Sequence, residues 1–270
     1  MNIKSFNTLL ITALFTGGLA TANAAPVQVS YDFTSGGGTS STIGAGFGNA
    51  LRFNDIDGDN SSSENLTITA WGATGADQGS GAWGDSLQSA QISRWNTGLG
   101  ACNRSEGLIG SYSNNCDTNS EHQVDNSGYD DFVLFAFDNI MAFDQLVIDP
   151  FFTSDIDLTF WIGTIGNTDL TGLDDLTLLS AGFSNPLNAL FYGATYSPQT
   201  INLGGATGNV LLVSAQRDLG SPDDDDYFKI ASLRATTTEI PAVPVPAAGW
   251  LFASGLLALV HSARRKGQFN

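Results

Sequence analysis

Cysteine, histidine and basic residues are all scarce in this chain. Its 270 residues include two cysteines, two histidines and ten Lys plus Arg, against 27 Asp plus Glu. Four of the ten basic residues, Lys4, Arg264, Arg265 and Lys266, lie at the two ends. The remaining 6 stand against all 27 acidic residues, a net charge near −21 for the stretch between the ends. Such a balance excludes nucleic acid as a partner, because that binding needs Lys and Arg to neutralise phosphates. It also argues against anionic lipid headgroups and favours a soluble, self-repelling or cation-binding surface. With His122 the only histidine before the C-terminal segment and no nucleophile motif, the chain lacks a persuasive catalytic constellation and reads as a non-enzyme.

The two ends carry the clearest signals. Lys4 precedes a short apolar core, Leu9 to Leu19, followed by Ala22-Asn23-Ala24. That order reads as a signal peptide over residues 1–24, with signal peptidase expected to cut after Ala24. The apolar run is too short for a span, which needs about 20 residues. At the other end, the prolines of a 236–246 linker precede an apolar run over 247–263 and a basic tail over 264–270. The run is near the lower limit of about 17 residues for a single transmembrane helix. Arg264, Arg265 and Lys266 then mark the cytoplasmic side by the positive-inside rule. The body between the signals is therefore expected outside the inner membrane.

Val243-Pro244-Val245-Pro246-Ala247-Ala248, then Trp250-Leu251-Phe252, Gly255-Leu256-Leu257 and Arg264-Arg265-Lys266, resembles the PEP-CTERM sorting domain. Val245 stands where the family name has Glu, as in a frequent subtype. The resemblance implies a Gram-negative envelope protein that is transiently anchored in the inner membrane. An exosortase-type processing enzyme would recognise Val243 to Pro246 and deliver the body to the cell surface or the extracellular space. Proteins with this ending occur in bacteria that make exopolysaccharide, which makes that polymer a candidate partner.

In an exported region Cys102 and Cys116 are read as a disulfide. Closing their short loop is worth about 3 kcal/mol in the chain-entropy model. The rival is a two-cysteine metal site, but no second ligand pair has metal spacing.

The body, 25–235, is rich in Gly, Thr, Ser, Asn and aromatics and shows no long amphipathic helix. Val27 to Phe33 and Asn65 to Trp71 alternate apolar and polar residues as half-buried strands do. Phe132 to Phe137 is nearly all apolar and predicts a strand covered on both faces. Further strands are predicted at Gln145–Ile148, Asp157–Ile162, Asp175–Leu179, Gln199–Leu203, Val210–Ala215 and Tyr227–Leu233. Gly-rich loops are predicted at Ser35–Gly48 and Gly72–Gly84. The pattern is all-β, an antiparallel β-sandwich of jelly-roll-like type.

Several groups could carry chemistry. Asp55, Asp57, Asp59 and Glu64 form an oxygen-rich loop with the wrong spacing for an EF-hand, leaving a looser Ca²⁺ loop or a solvated turn. Asp125-Asn126 and Asp130-Asp131 offer a second Ca²⁺ reading, against a tight Asx-type turn. Asp223 to Asp226 reads as a solvated like-charge run. Trp83, in a Gly-rich loop, is the best candidate for stacking on carbohydrate, whereas Trp161 reads as core. His122 between Glu121 and Asp125 could serve acid–base work, but a histidine that locks a loop is the simpler reading. Gly98-Leu99-Gly100, Glu121 to Asn126 and Asp130 to Phe135 resemble a block of exosortase-dependent surface proteins, a turn followed by a Glu-His-x-x-Asp-Asn element and a strand. The resemblance supplies no catalytic residues. The resulting expectation is a structural or adhesive matrix or biofilm protein. A Ca²⁺-dependent carbohydrate-binding module is the second reading and a secreted hydrolase the third.

Overall fold

The computed structural model describes residues 26–37, 40–54, 65–75, 86–105, 122–126, 129–151, 156–191, 196–215, 226–238 and 255–256. Pro26–Glu239 forms one compact unit. The remaining residues belong to another, of which only Gly255 and Leu256 are described, both helical. No described helix is long and apolar enough to cross a membrane. The 1–24 leader, the Val243–Pro246 motif, the Arg264–Lys266 tail, Asp55, Asp57, Asp59, Glu64, Trp83 and Cys116 all lie outside the described residues.

The body is all-β and antiparallel, as its patterning predicts. In chain order the strands are β1 (Gln28–Asp32), β2 (Ser41–Ile43), β3 (Ala50–Phe53), β4 (Leu66–Ala73), β5 (Leu87–Ser89) and β6 (Gln91–Trp95). They continue with β7 (Gly98–Cys102), β8 (Val124–Asp125), β9 (Asp131–Pro150), β10 (Ile156–Gly163), β11 (Leu187–Phe191), β12 (Gln199–Ala215) and β13 (Tyr227–Thr237). One helix, α1 (Asp175–Ala181), lies between β10 and β11.

β9 organises the sheet. It pairs with β12 along one edge, while its other edge serves β4 up to Phe137 and β13 from Met141 onward. The β9–β12 register slips between Gly208 and Val210 and again between Asn202 and Ala206. Gly204 and Gly205, both at φ 70°, supply the left-handed backbone of the second slip. Such bulges bend a strand and raise its twist. The sheet thereby folds over on itself, and strands that never pair meet through their side chains. Tyr31 of β1 lies 6.2 Å from Phe53 of β3, and Phe33 lies 5.5 Å from Phe135 of β9. These rings, with Leu66, Ile68, Phe143, Ile148, Phe228 and Ile230, belong to the main core. Each fully buried large apolar side chain there contributes about 1.5–3 kcal/mol.

A second apolar cluster covers the opposite face of β4, β9, β10 and β12. Trp71, Phe132, Leu134, Trp161, Val210 and Leu212 are packed there under Ile165, Leu170, Leu178 and Phe183. This cover explains why Phe132 to Phe137 carries no polar alternation, and it places Trp161 in the core as expected.

Four predicted boundaries change. Phe132–Phe137 and Gln145–Ile148 are one strand, because Asp138 and Asp144 are tied across it and form no turn. Asp138 accepts from the Asn65 amide at 2.9 Å, and Asp144 accepts from Gln28 and Thr236 at 3.1 and 2.8 Å. Gln199–Leu203 and Val210–Ala215 likewise join through the bulged glycines. Asp175–Leu179 is helical. Asp174 accepts from the Thr177 N–H at 2.8 Å, Thr177 Oγ1 accepts from the Asp174 N–H at 2.7 Å, and Gly182 closes the last turn in the left-handed region. Gly98-Leu99-Gly100, read as a turn, opens β7. In addition, β2 lies within the Ser35–Gly48 loop, and β13 runs to Thr237, inside the segment assigned to the linker.

Candidate functional site

Strand alternation on β13 sends Phe228 and Ile230 into the core, both fully buried. Lys229 between them therefore faces outward, directly opposite Asp149 of β9. A lysine in that position normally lies in water, yet Lys229 is only 4 % exposed. Three aromatic side chains from distant stretches close over it. Its Nζ lies 5.8 Å from the centre of the Trp95 ring and 5.6 Å from that of Phe151. His122 meets Trp95 edge-on at 4.3 Å and Phe151 at 6.5 Å.

The ammonium donates to the His122 carbonyl at 3.3 Å, its single hydrogen bond among the described residues. The buried indole N–H of Trp95 has no acceptor among them. Burial lowers Lys229 to about 8, although the charges of Asp149 and Asp125 work in the other direction. Burial also pushes Asp149 above the usual carboxylate range, opposed by a hydrogen bond with Thr97 and by the Lys229 charge. In front of the pair opens a cleft of about 470 Å³, lined by Trp95, Asn96, Thr97, His122, Asp149, Pro150, Phe151 and Lys229, a size within the range of about 300–1,000 Å³ typical of small-molecule sites.

The walls of this cleft are held from behind. Arg94, the neighbour of Trp95 on β6, donates to the carbonyls of Phe33 at 3.1 Å, Asp32 at 3.3 Å, Gly37 at 2.5 Å and Thr34, and to Ser40 Oγ at 3.1 Å. The Ser35 N–H donates to the Trp95 carbonyl at 2.9 Å, and its hydroxyl reaches Asn96 at 2.7 Å. On the other side, β7 lies against the His122–Gln123 backbone, where the Ala101 N–H donates to the Gln123 carbonyl at 3.1 Å. A Cβ on Gly100 would lie 1.7 Å from the His122 carbonyl oxygen, and one on Gly98 2.4 Å from that of Ile230. Gly100 thus lets β7 approach the carbonyl that holds Lys229, and Gly98 lets it approach the backbone of β13 at Ile230.

The predicted residues are distributed unevenly around this site. Gly98 to Gly100 and His122 to Asp125 do come together, and His122 acts as a wall packed on Trp95. Asp125, Asp130 and Asp131 do not form the shared oxygen cage of the Ca²⁺ reading. Among the described residues no three His, Cys, Asp or Glu side chains form a metal-binding group. Asp125 lies in β8 opposite Tyr227, while Asn126 bonds Asp226 at 3.0 Å. Asp226 is itself buried and accepts from the Asp157 N–H at 2.6 Å, so the last member of the acidic run is structural and not solvated. Cys102 is disulfide-bonded. Lys229, Asp149 and Phe151 carry no motif. Their one sequence signal is a rare cation placed between two core residues of a strand.

No family model matches the chain, and no curated protein matches it. Among solved structures it aligns with CpGH89 from Clostridium perfringens, in complex with its substrate GlcNAc-alpha-1,4-galactose. The alignment covers 68 % of this chain and 15 % of that one, at 7 % identity and a TM-score of 0.29. A likeness of that size bears on neither fold nor function.

Proposed function

We propose that this is an exported protein of a Gram-negative envelope, with a structural or adhesive role at the cell surface or in an exopolysaccharide matrix. In this reading the 1–24 leader directs export. The 247–263 segment and basic tail hold the chain in the inner membrane, and an exosortase-type enzyme processes it at Val243 to Pro246. The body it releases is a jelly-roll-like β-sandwich.

One observation carries the reading. The compact unit spans Pro26–Glu239, and every described strand lies inside it. Its limits fall between the Ala24 cleavage site and Pro241, so both ends can be removed without loss of a described strand. Alkaline phosphatase gives the test, because it gains activity only where disulfides form, outside the cytoplasm. Fused after Ser30 and produced in a Gram-negative host, it is expected to be active, and deletion of Leu9 to Leu19 is expected to abolish that activity. An inactive fusion with the leader intact would refute export.

The cleft favours carbohydrate binding as the second reading, since it combines aromatic walls with convergent polar groups.

A further inference from the structure

We propose that the cleft between Trp95, Phe151, Lys229 and Asp149 binds a neutral pyranose unit of a saccharide. The inference rests on the carbohydrate-binding reading and is independent of the sorting one. The chemistry of the lining selects among ligand classes. A cationic ligand meets the like charge of the Lys229 ammonium, which lies 5.8 and 5.6 Å from the Trp95 and Phe151 ring centres. An anionic ligand meets Asp149, opposite Lys229 in register, on a body of net charge near −21. A purely apolar ligand would seal off Lys229 and Asp149 without giving them further partners, which is costly.

A polyol ring meets none of these objections. Each hydroxyl both donates and accepts. One hydroxyl can accept from Lys229 Nζ, which uses one of its three donors on the His122 carbonyl, while its neighbour donates to the Asp149 carboxylate. The C–H face of the ring then packs on the aromatic walls, burying apolar area without leaving a polar group unpaired.

The test is calorimetric titration of the purified full chain with neutral gluco-, manno- and galacto-configured oligosaccharides and with an oligogalacturonate. Lys229→Met, Asp149→Asn and Trp95→Ala are the cleft variants, each checked for cooperative unfolding, and Tyr196→Ala, an exposed aromatic outside the cleft, is the control. The expected result is binding of at least one neutral oligosaccharide. Lys229→Met and Asp149→Asn, which keep the shape of the site, each lower its affinity tenfold or more, and Tyr196→Ala leaves it unchanged. Binding that none of the cleft variants weakens would overturn the site while sparing the carbohydrate reading. Failure to bind any saccharide would overturn both, and selective binding of the uronate would overturn the neutral-sugar assignment.

Discussion

Gly100→Ala is expected to destabilise the body by about 3 kcal/mol or more, at the upper end of overpacking costs. The added Cβ would stand 1.7 Å from the His122 carbonyl oxygen, a backbone atom that no rotamer change can move aside. Either β7 or the His122–Gln123 segment must shift, and the Ala101-to-Gln123 hydrogen bond is lost with that movement. For a domain of this size each kcal/mol moves Tm by about 2–4 °C, so a fall of roughly 6–12 °C is expected. Gly166→Ala is the matched control. Nothing lies within 4 Å of a Cβ at Gly166, and its effect should stay within about 0.5 kcal/mol. Equal Tm values for the two variants would show that the close approach of β7 to His122 does not exist.

Lys229→Met is expected to stabilise the protein at neutral pH. The folded-state value of Lys229, about 8, lies below its ordinary value of 10.5 because burial penalises the ammonium. Below pH 8 both states carry the proton, and the folded state bears the full burial penalty. Between pH 8 and 10.5 the unfolded chain still holds a proton that the folded one has released, so the contribution of this group to stability rises with pH. Above pH 10.5 both states are neutral and the penalty is gone. The shift corresponds to about 3 kcal/mol, from which the lost ring contacts with Trp95 and Phe151 subtract about 1 kcal/mol. Denaturant titrations of both proteins from pH 7 to 10.5 should show the variant ahead by about 2 kcal/mol at pH 7, an advantage that shrinks and then vanishes as pH rises. A variant less stable at pH 7 and level at pH 10.5 would mean that the ammonium is a net stabiliser, with its burial more than offset.

The strands were legible where side-chain periodicity matched burial. β1 alternates without fault, with Val29 and Tyr31 inward, and β4 does so through Leu66, Ile68 and Ala70. The run at Phe132 announced a strand covered on both faces. Legibility failed where local chemistry had two meanings. Asp174-Asp175-Leu176-Thr177-Leu178 alternates like a strand, but the reciprocal Asp174–Thr177 bonds start a helix there. Asp138 and Asp144 carry turn-type residues in a strand that continues through them. Gly98 and Gly100 look like a turn because glycine usually marks one, whereas here it admits a neighbouring backbone.

The cleft was hidden for a different reason. His122 stood out in the sequence, but Trp95, Phe151 and Lys229 become its neighbours only through the pairing of β7 with β6 and of β13 with β7, β8 and β9. Nothing local to Lys229 distinguishes it from a solvated lysine on an alternating strand. Its burial is a property of the fold, set by Arg94 behind Trp95 and by Gly100 beneath His122.

The claim that unites the two ends with the body is that this chain is exported and then processed at both termini. Intact-mass spectrometry of the protein recovered from the producing cells and their medium tests it most directly. The predicted result is a species that begins at Ala25 and ends near Val243 to Pro246, without Arg264-Arg265-Lys266. A steady-state species that still carries its leader, or that keeps the basic tail through to Asn270, would contradict it.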